Sequence, residues 1–451
     1  MIETDILVIG GSAGGILTAT TAKRIYPDKK VVMVRKNKTV MVPCGIPYIF
    51  GTLYDTSKNR IPDEMVKSAG VELLIDEVIS IDKDKKVAIL KSGEEIKWDK
   101  LVLATGSLPV IPKWLPGHDL ENVYPIIKDE EYLSNMLNKL KEINEVVIIG
   151  AGFIGVEFAE QLALAGKHVT LVEIAHKILW QAFDDEFAAI AEQDLESHGV
   201  TLKLGTKVKS ILGNGKVEEV EFESGERVKA EAVILSMGVT PNTELAKQLG
   251  LDLTRKGAIV VDEYMRTSAP DIFAVGDCAL KRDFFTSRHV PILLASTAAM
   301  EAKIAAANLY GIKFIRENRG TVSAFSTKIF DKTYGVAGII ERFAKEDGFD
   351  YVIGKAVSMD RHPGSLPGAK KIEVKLIFSR TSGVLIGAQV VGGDSVGEMI
   401  NILSLAIQKG LTANELNTMQ VATHPLVTAS PVTYPINAAA LDALVKICTK
   451  C

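Results

Sequence analysis

Apolar and polar residues alternate along this chain in two regimes. Short, wholly apolar runs, Ile6-Leu-Val-Ile9 and Val146-Val-Ile-Ile149, each stop at a glycine-rich turn and give way to a helical period. A run that short, apolar on both faces, predicts a strand of a parallel sheet covered on both sides. The same pattern predicts strands over Lys30–Arg35, Val71–Ile75, Val87–Leu90, Leu101–Gly106, Val169–Glu173 and Ile272–Asp277. Pro109, Pro112 and Pro116 break the regularity and mark a linker. From about Gly320 the character changes. Thr321–Ile340 and Ile372–Val391 predict strands of a mixed sheet, and Ser395–Lys409 an amphipathic helix. The expected fold is α/β in its first two-thirds and α+β in a third, C-terminal domain.

Composition narrows the class. With 451 residues, two to four domains are expected, and 47% apolar with 24% charged residues excludes disorder, collagen and a disulfide-rich miniature. Lys plus Arg is 52 and Asp plus Glu is 56, so the net charge is 52 − 56 = −4. That gives no general attraction to nucleic acid or anionic lipid, and neither is expected as a partner. Four cysteines (Cys44, Cys278, Cys448 and Cys451) are too few for a secreted disulfide framework. The start Met1-Ile-Glu-Thr-Asp lacks the basic opening of a signal peptide, and no long uncharged apolar stretch predicts a membrane span. The expected location is the cytoplasm.

Candidate chemistry begins at the turns. Gly150-Ala-Gly152-Phe-Ile-Gly155 has the three glycines of a dinucleotide site: one for the tight turn, one for close approach of a pyrophosphate, one for helix-on-strand packing. The N-terminus of the following helix offers unpaired N–H groups to the phosphates. Glu173, at the end of the next strand, would accept from the ribose hydroxyls and repel a 2′-phosphate, which favours NADH. His176 and Lys177 just beyond it leave NADPH possible. The first turn, Gly10-Gly-Ser-Ala-Gly-Gly15, is less regular: Ser12 takes the second glycine's place and Arg35 stands where an acid is usual. By itself it reads equally as a dinucleotide site or a structural turn. Asp277 follows a strand end, where it could accept from a ligand hydroxyl or serve as a helix N-cap or turn Asp. Cys44, in Pro43-Cys-Gly-Ile-Pro-Tyr48, is either a small buried hydrophobe or a thiol ionised by a helix N-terminus, since Pro47 suits a first helical turn.

In order along the chain, Gly10–Gly15, Cys44, Ala104-Thr-Gly106, Gly150–Gly155, Gly238-Val-Thr-Pro-Asn242 and Gly276-Asp277 resemble the FAD-dependent pyridine nucleotide-disulfide oxidoreductases. The lone Cys in Cys44-Gly-Ile-Pro-Tyr resembles the branch holding coenzyme A-disulfide reductases, NADH oxidases and NADH peroxidases. The resemblance implies two Rossmann-like nucleotide-binding domains, for FAD and NAD, plus a C-terminal α+β dimerisation domain, and a homodimer. It sets expected boundaries of 1–113 and 245–320 for FAD, 114–244 for NAD and 321–451 for dimerisation. Gly10, Gly11, Ser12, Ala13, Gly14 and Gly15 would hold the FAD pyrophosphate, with Ala104, Thr105 and Gly106 along the cofactor. Asp277 would take the ribityl chain, and Thr297 and Ala298 would approach the isoalloxazine. Gly150, Gly152, Phe153, Ile154, Gly155, Glu157 and Glu173 would serve the NADH side, Glu157 beside the nicotinamide. Arg35, Lys36, Pro43, Val78, Met237 and Gly238 complete the implied cofactor set, and no metal is expected.

The resemblance also assigns Cys44 as a redox thiol beside the flavin. The acceptor would be a small disulfide, polysulfide, sulfur or oxygen; the alternatives are a dedicated NADH oxidase and a reductase of a small electron-transfer protein such as rubredoxin. The chain departs from the family's patterns in places. The first turn has no His, which argues against an oxidase or peroxidase, and Asp360-Arg-His-Pro-Gly-Ser-Leu-Pro-Gly368 lacks the tyrosines common in coenzyme A-disulfide reductases. Thr423-His-Pro-Leu-Val-Thr428 resembles the segment whose His reaches a partner's active site in glutathione and dihydrolipoamide reductases, although Ala429 replaces the orienting Glu. His424 is thus a candidate acid/base or a buried structural His. Cys448-Thr-Lys-Cys451 reads as an electron shuttle, half a metal site, or neither.

Overall fold

The computed structural model describes residues 1–313, 315 and 318–449 and divides into two compact units. The first comprises Met1–Lys113, Tyr124–Glu142 and Met237–Thr321. Its seven-stranded sheet runs Glu72–Ile75, Val31–Arg35, Ile2–Ile9, Glu95–Leu103, Val87–Leu90, Val78–Asp82, and Ile272–Ala274 also pairs with Glu95–Leu103. The pairings from Glu72–Ile75 to Glu95–Leu103, and that of Ile272–Ala274, are parallel. Ile6, Leu7 and Val8 are fully buried, as a parallel strand covered on both faces requires. The helices Ala13–Ile25 and Ala295–Ala307 pack on one another. Register aligns the strand ends: Ile9 and Ala274 both pair with Leu103, so the turns at Gly10, Ala104 and Val275 emerge side by side.

The second unit comprises Trp114–Val123, Ile143–Ser236 and Val322–Cys451. Thr201–Lys203, His168–Val172, Glu145–Ile149 and Ala232–Leu235 run parallel, with an antiparallel ribbon of Val208–Leu212, Glu219–Phe222 and Arg227–Lys229. The C-terminal sheet is antiparallel: Phe325–Ile329, Lys332–Gly338, Leu385–Gly392, Lys371–Ser379, Tyr351–Met359. The helices Val396–Lys409 and Pro435–Cys448 pack against it. The α/β-plus-α+β class expected from the sequence is the one observed.

Some elements differ in extent. The strand expected over Leu101–Gly106 stops at Leu103, and that over Ile272–Asp277 stops at Ala274: the ladder ends at the level where Ile9, Leu103 and Ala274 pair, and Gly106 and Gly276 then turn the backbone to φ +70° and +74°. The strand Tyr351–Met359 was not read from the sequence; Gly354 and Lys355 interrupt its apolar alternation.

Lys375 is 1% exposed and bridges Asp184 at 2.8 Å, Glu186 at 2.9 Å and Glu341 at 2.6 Å. Asp184 also accepts from the Gln389 amide and the N–H groups of Glu341 and Arg342. Burial opposes its charge, but Lys375 and the other donors more than compensate and hold the Asp184 carboxyl below its ordinary range. Removing the cation would strand a buried carboxylate. Lys375→Met should therefore cost about 3–5 kcal/mol in denaturant unfolding at pH 7. Asp184's contribution is present in full above the ordinary carboxylate range and is lost as pH falls below that range through the lowered folded-state value, so the deficit should narrow as the pH drops below about 4. A variant as stable as the parent at pH 7 would show that the network contributes nothing.

Candidate active site

In the first unit the turn after Ile2–Ile9 is closed by contact. Gly10 sits at φ +118°, and a Cβ on Gly15 would lie 1.9 Å from the Gly10 carbonyl oxygen. The helix Ala13–Ile25 has Ser12 as its N-cap with no side-chain cap bond, so first-turn N–H groups face outward. Gly14 packs towards Val275, Gly276 and Ala298. Arg35 is 4% exposed, lies over Gly11, and is paired with both oxygens of Asp63 at 2.7 and 3.0 Å. Lys36 is exposed and bound to Glu77, and Val78 is buried at a strand start.

Beside that turn, Thr105 Oγ1 donates to the Asn242 carbonyl at 2.6 Å, and Asn242 returns its amide to the Thr105 carbonyl. Two motifs distant in sequence thus latch together. Gly106 has nothing within 4 Å of where its Cβ would be. Asp277 lies in the one-turn 3-10 helix Gly276–Cys278, whose N-cap is Val275, so it is a turn residue and not that helix's cap. Its carboxylate accepts from Ser107 Oγ at 2.7 Å, with Lys128 Nζ 3.7 Å away. Thr297 and Ala298 are buried in the first turn of Ala295–Ala307. Met237 and Gly238 precede the strand Val239–Pro241, which pairs with Ser107–Pro109.

Cys44 is exposed. The helix expected to start at Pro47 is not there. Pro43–Gly45 and Pro47–Ile49 are successive 3-10 turns, too short to sum a helix dipole. The turn is instead held by a short ribbon: Val42 N–H donates to the Asn59 carbonyl at 2.8 Å, and Ile61 N–H to that of Val40 at 2.8 Å. Asn59, 5% exposed, donates its amide to the Val42 carbonyl, and its Oδ1 fills the place a Gly45 Cβ would need, 2.0 Å away. Asn59, Ser107 and Asn242's reciprocal bond carry no periodic signal. Only Asn242, within a recognisable motif, was open to sequence reasoning.

In the second unit a Cβ on Gly155 would lie 1.9 Å from the Gly150 carbonyl oxygen, while the space at Gly152, N-cap of Phe153–Leu164, is open. Glu173 accepts from Ala151 N–H at 2.7 Å and Ala175 N–H at 2.9 Å, tying the strand end to the glycine turn. Lys177 is committed to Glu192 at 2.7 Å and is not held for a phosphate. Ile154 is exposed, and Phe153 stacks on Phe325 with centroids 4.8 Å apart. His424 is exposed on the isolated chain; its Nδ1 accepts from Leu426 N–H at 3.3 Å. The His362 ring nitrogen lies 3.0 Å from the Thr428 carbonyl, so the Asp360–Gly368 segment meets the His424 loop. Cys448 is exposed at a helix end, and Cys451 lies outside the described residues. Among the described residues no cluster of three or more His, Cys, Asp or Glu could hold a metal, and no helix is long and apolar enough to cross a membrane.

Open space at Gly106 and Gly152, outward helix N–H groups and an accepting carboxylate near each turn fit two dinucleotides. A fold and site of this kind define a nucleotide-dependent oxidoreductase. Residues 4–302 match the pyridine nucleotide-disulphide oxidoreductase family, and residues 324–434 match that family's dimerisation domain. The chain is 35% identical to an NADH oxidase of Methanocaldococcus jannaschii, over 98% of this chain and 99% of that one. It is 33% identical to an NAD(P)H coenzyme A polysulfide/persulfide reductase of Pyrococcus horikoshii, over 92% and 93%. The solved NAD-dependent persulfide reductase of A. fulgidus superposes with a TM-score of 0.90 at 31% identity, covering 98% of this chain and 83% of that one. The chain belongs to the pyridine nucleotide-disulphide oxidoreductase family. It is an FAD-dependent NAD(P)H oxidoreductase.

One carboxyl in the second unit has a testable titration. Burial pushes Glu157 up to about 7, with the Thr327 hydroxyl, 2.9 Å away, pulling against this and Glu160 adding to it. The folded state keeps this proton longer than the unfolded chain, so stability falls as pH rises from the ordinary carboxylate range to about 7 and then levels. Glu157→Gln removes that loss. Its Tm relative to the parent should be a few degrees more favourable at pH 8 than at pH 5 by calorimetry. Parallel Tm profiles would rule the shift out.

Proposed function

We propose that this chain reduces small sulfur–sulfur compounds (a disulfide such as coenzyme A disulfide, a polysulfide, or sulfur) at the expense of NADH, with Cys44 as the redox thiol. The observation that carries this reading is Cys44 itself: an exposed sulfur on a turn whose entry, at Val42, is pinned by two hydrogen bonds to Asn59. FAD, when bound, supplies the two-electron chemistry between the pyridine nucleotide and the thiol. We assign its sites to segments 1–113 and 245–320, through Gly10–Gly15, Ala104–Gly106, Asp277, Thr297 and Ala298. NADH is assigned to 114–244, through Gly150–Gly155, Glu157 and Glu173.

The Cys44 thiolate attacks one sulfur of the acceptor. A new S–S bond forms, the old one breaks, and the leaving thiolate takes a proton. Two electrons from NADH then cleave the mixed disulfide, returning the Cys44 thiolate and releasing the second sulfur; one NADH and one proton are consumed per bond. His424, exposed and on a short loop, is the proposed donor to the leaving thiolate, acting from a second copy of the chain. Exposed Leu426 (53%), Val427 (63%) and Val432 (89%) beside it support 321–451 as the dimerising segment. A cytoplasmic location belongs to the same reading, since such thiols work where the surroundings keep them reduced.

The test is anaerobic NADH consumption with coenzyme A disulfide, glutathione disulfide and polysulfide, then with oxygen added back. Cys44→Ser should abolish turnover with every sulfur acceptor while NADH still bleaches the flavin. A variant that keeps sulfur turnover would end this reading. Rapid turnover with oxygen alone, diverted to peroxide by the variant, would establish an NADH oxidase instead.

Cofactor choice gives a second check. With Lys177 held by Glu192, Glu173 carries the discrimination against a 2′-phosphate. Glu173→Ser should raise kcat/KM for NADPH relative to NADH by about ten-fold or more, on the scale of one lost charge repulsion. An unchanged ratio would remove Glu173 from that role.

A further inference from the structure

The helix Ala295–Ala307 carries a carboxylate that the reaction above leaves unused. Glu301 is 0% exposed. Its Oε2 accepts from Gly276 N–H at 2.8 Å and from Lys281 Nζ at 3.0 Å. Lys281 spends its other two donors on the carbonyls of Gly276, at 2.6 Å, and Ala279, at 2.9 Å. The two side chains are 2% and 1% exposed. Taking both charges out of water costs more than their attraction returns unless the surrounding bonds are complete, and a well-packed apolar pair would fill the same space without that cost.

The bonds are not complete. Both donors to Glu301 use Oε2, and Oε1 is buried with no partner. A pair present for stability alone would leave no carboxylate oxygen stranded. Apart from the ion pair itself, each of these bonds ends on the backbone of Gly276–Ala279. That segment is the turn with Asp277 at its centre, entered by a glycine at φ +74°.

We propose that Lys281 and Glu301 are positioning residues that lock this turn, so that the Asp277 carboxylate is presented in one orientation to FAD. The inference rests on the assignment of Asp277 to the FAD site. Lys281 and Glu301 act through the turn's backbone, and Ser107 holds the Asp277 side chain from the other end. A preorganised turn spares the cofactor the cost of ordering it, so the pair's contribution is to FAD retention more than to folding.

The test separates those two quantities. Holoenzyme is compared with Lys281→Met and with the double variant Lys281→Met/Glu301→Leu. FAD release is followed by the rise of free-flavin fluorescence on dilution, and Tm by circular dichroism. Lys281→Met should lose both stability and FAD. The double variant, with no buried charge left, should recover Tm to near the parent value yet release FAD about ten-fold faster or more. A double variant that recovers Tm and holds FAD as long as the parent overturns the proposal. If the double variant does not fold, Glu301→Gln, which keeps an acceptor for Gly276 N–H but no charge for Lys281, is read in the same way: faster release supports the proposal and parental release overturns it. A parent protein that takes up no FAD would instead remove the assignment of Asp277 on which this rests.

Discussion

At each of the two glycine-rich turns a hydrogen stands where no carbon can. Beyond Gly15 in one unit and Gly155 in the other, a Cβ would lie 1.9 Å from the carbonyl oxygen of Gly10 or Gly150. That contact brings the start of each helix against the end of its strand and turns the helix N–H groups outward past the sheet's edge. The remaining chemistry of the first unit follows from the same edge. Because Ile9, Leu103 and Ala274 share one register level, the residues after them leave the sheet together. Thr105 and Asp277 therefore reach one neighbourhood from segments far apart in sequence. Parallel pairing sets that neighbourhood, and the glycines keep it open.

Around these turns the chain uses buried charge as fixed scaffolding. Arg35 occupies the strand end where an acid would meet a ribose, yet its guanidinium is spent on Asp63 and on the carbonyls of Asn37 and Lys38. Lys375 gathers three carboxylates from two separate segments of the second unit. Glu160 accepts from the Phe330 N–H, joining the helix Phe153–Leu164 to the hairpin that opens the C-terminal sheet. An apolar contact would hold these segments together but would not fix the angle between them. A charge-assisted bond to a backbone group does both, and it is costly to leave half-made.

This division explains what the sequence could and could not disclose. Strands buried on both faces and glycine turns are local, periodic features, so Ile6–Ile9, Val146–Ile149 and both turns were legible, as were the family and the order of its motifs. Asn59, Lys281, Glu301 and Thr327 were not. Each is a polar residue whose partner lies elsewhere in the fold, at separations from Asn59–Val42 to Thr327–Glu157 that no window spans. Arg35 was visible as an anomaly, but its explanation, Asp63, was not. Extents failed where the ladder ran out of paired neighbours, at Leu103 and Ala274, a few residues short of the glycines that close those motifs.

The two cysteines of the first unit show how the fold decides between chemistry and packing. Cys278 is fully buried; burial pushes its thiol up, and its sulfur lies within bonding distance of the carbonyls of Leu103 and Val275. A thiol kept as S–H in that way is inert. Cys44 is exposed, and it lacks the helix dipole that its flanking prolines suggest. What it has is a fixed address. A sulfur that must meet a diffusing acceptor cannot be buried, and one that must return to the same partner at every turnover cannot be loose. The ribbon joining Val40–Val42 to Asn59–Ile61 serves the second demand without compromising the first, because it grips the backbone that leads into Cys44 while the residue itself stays exposed.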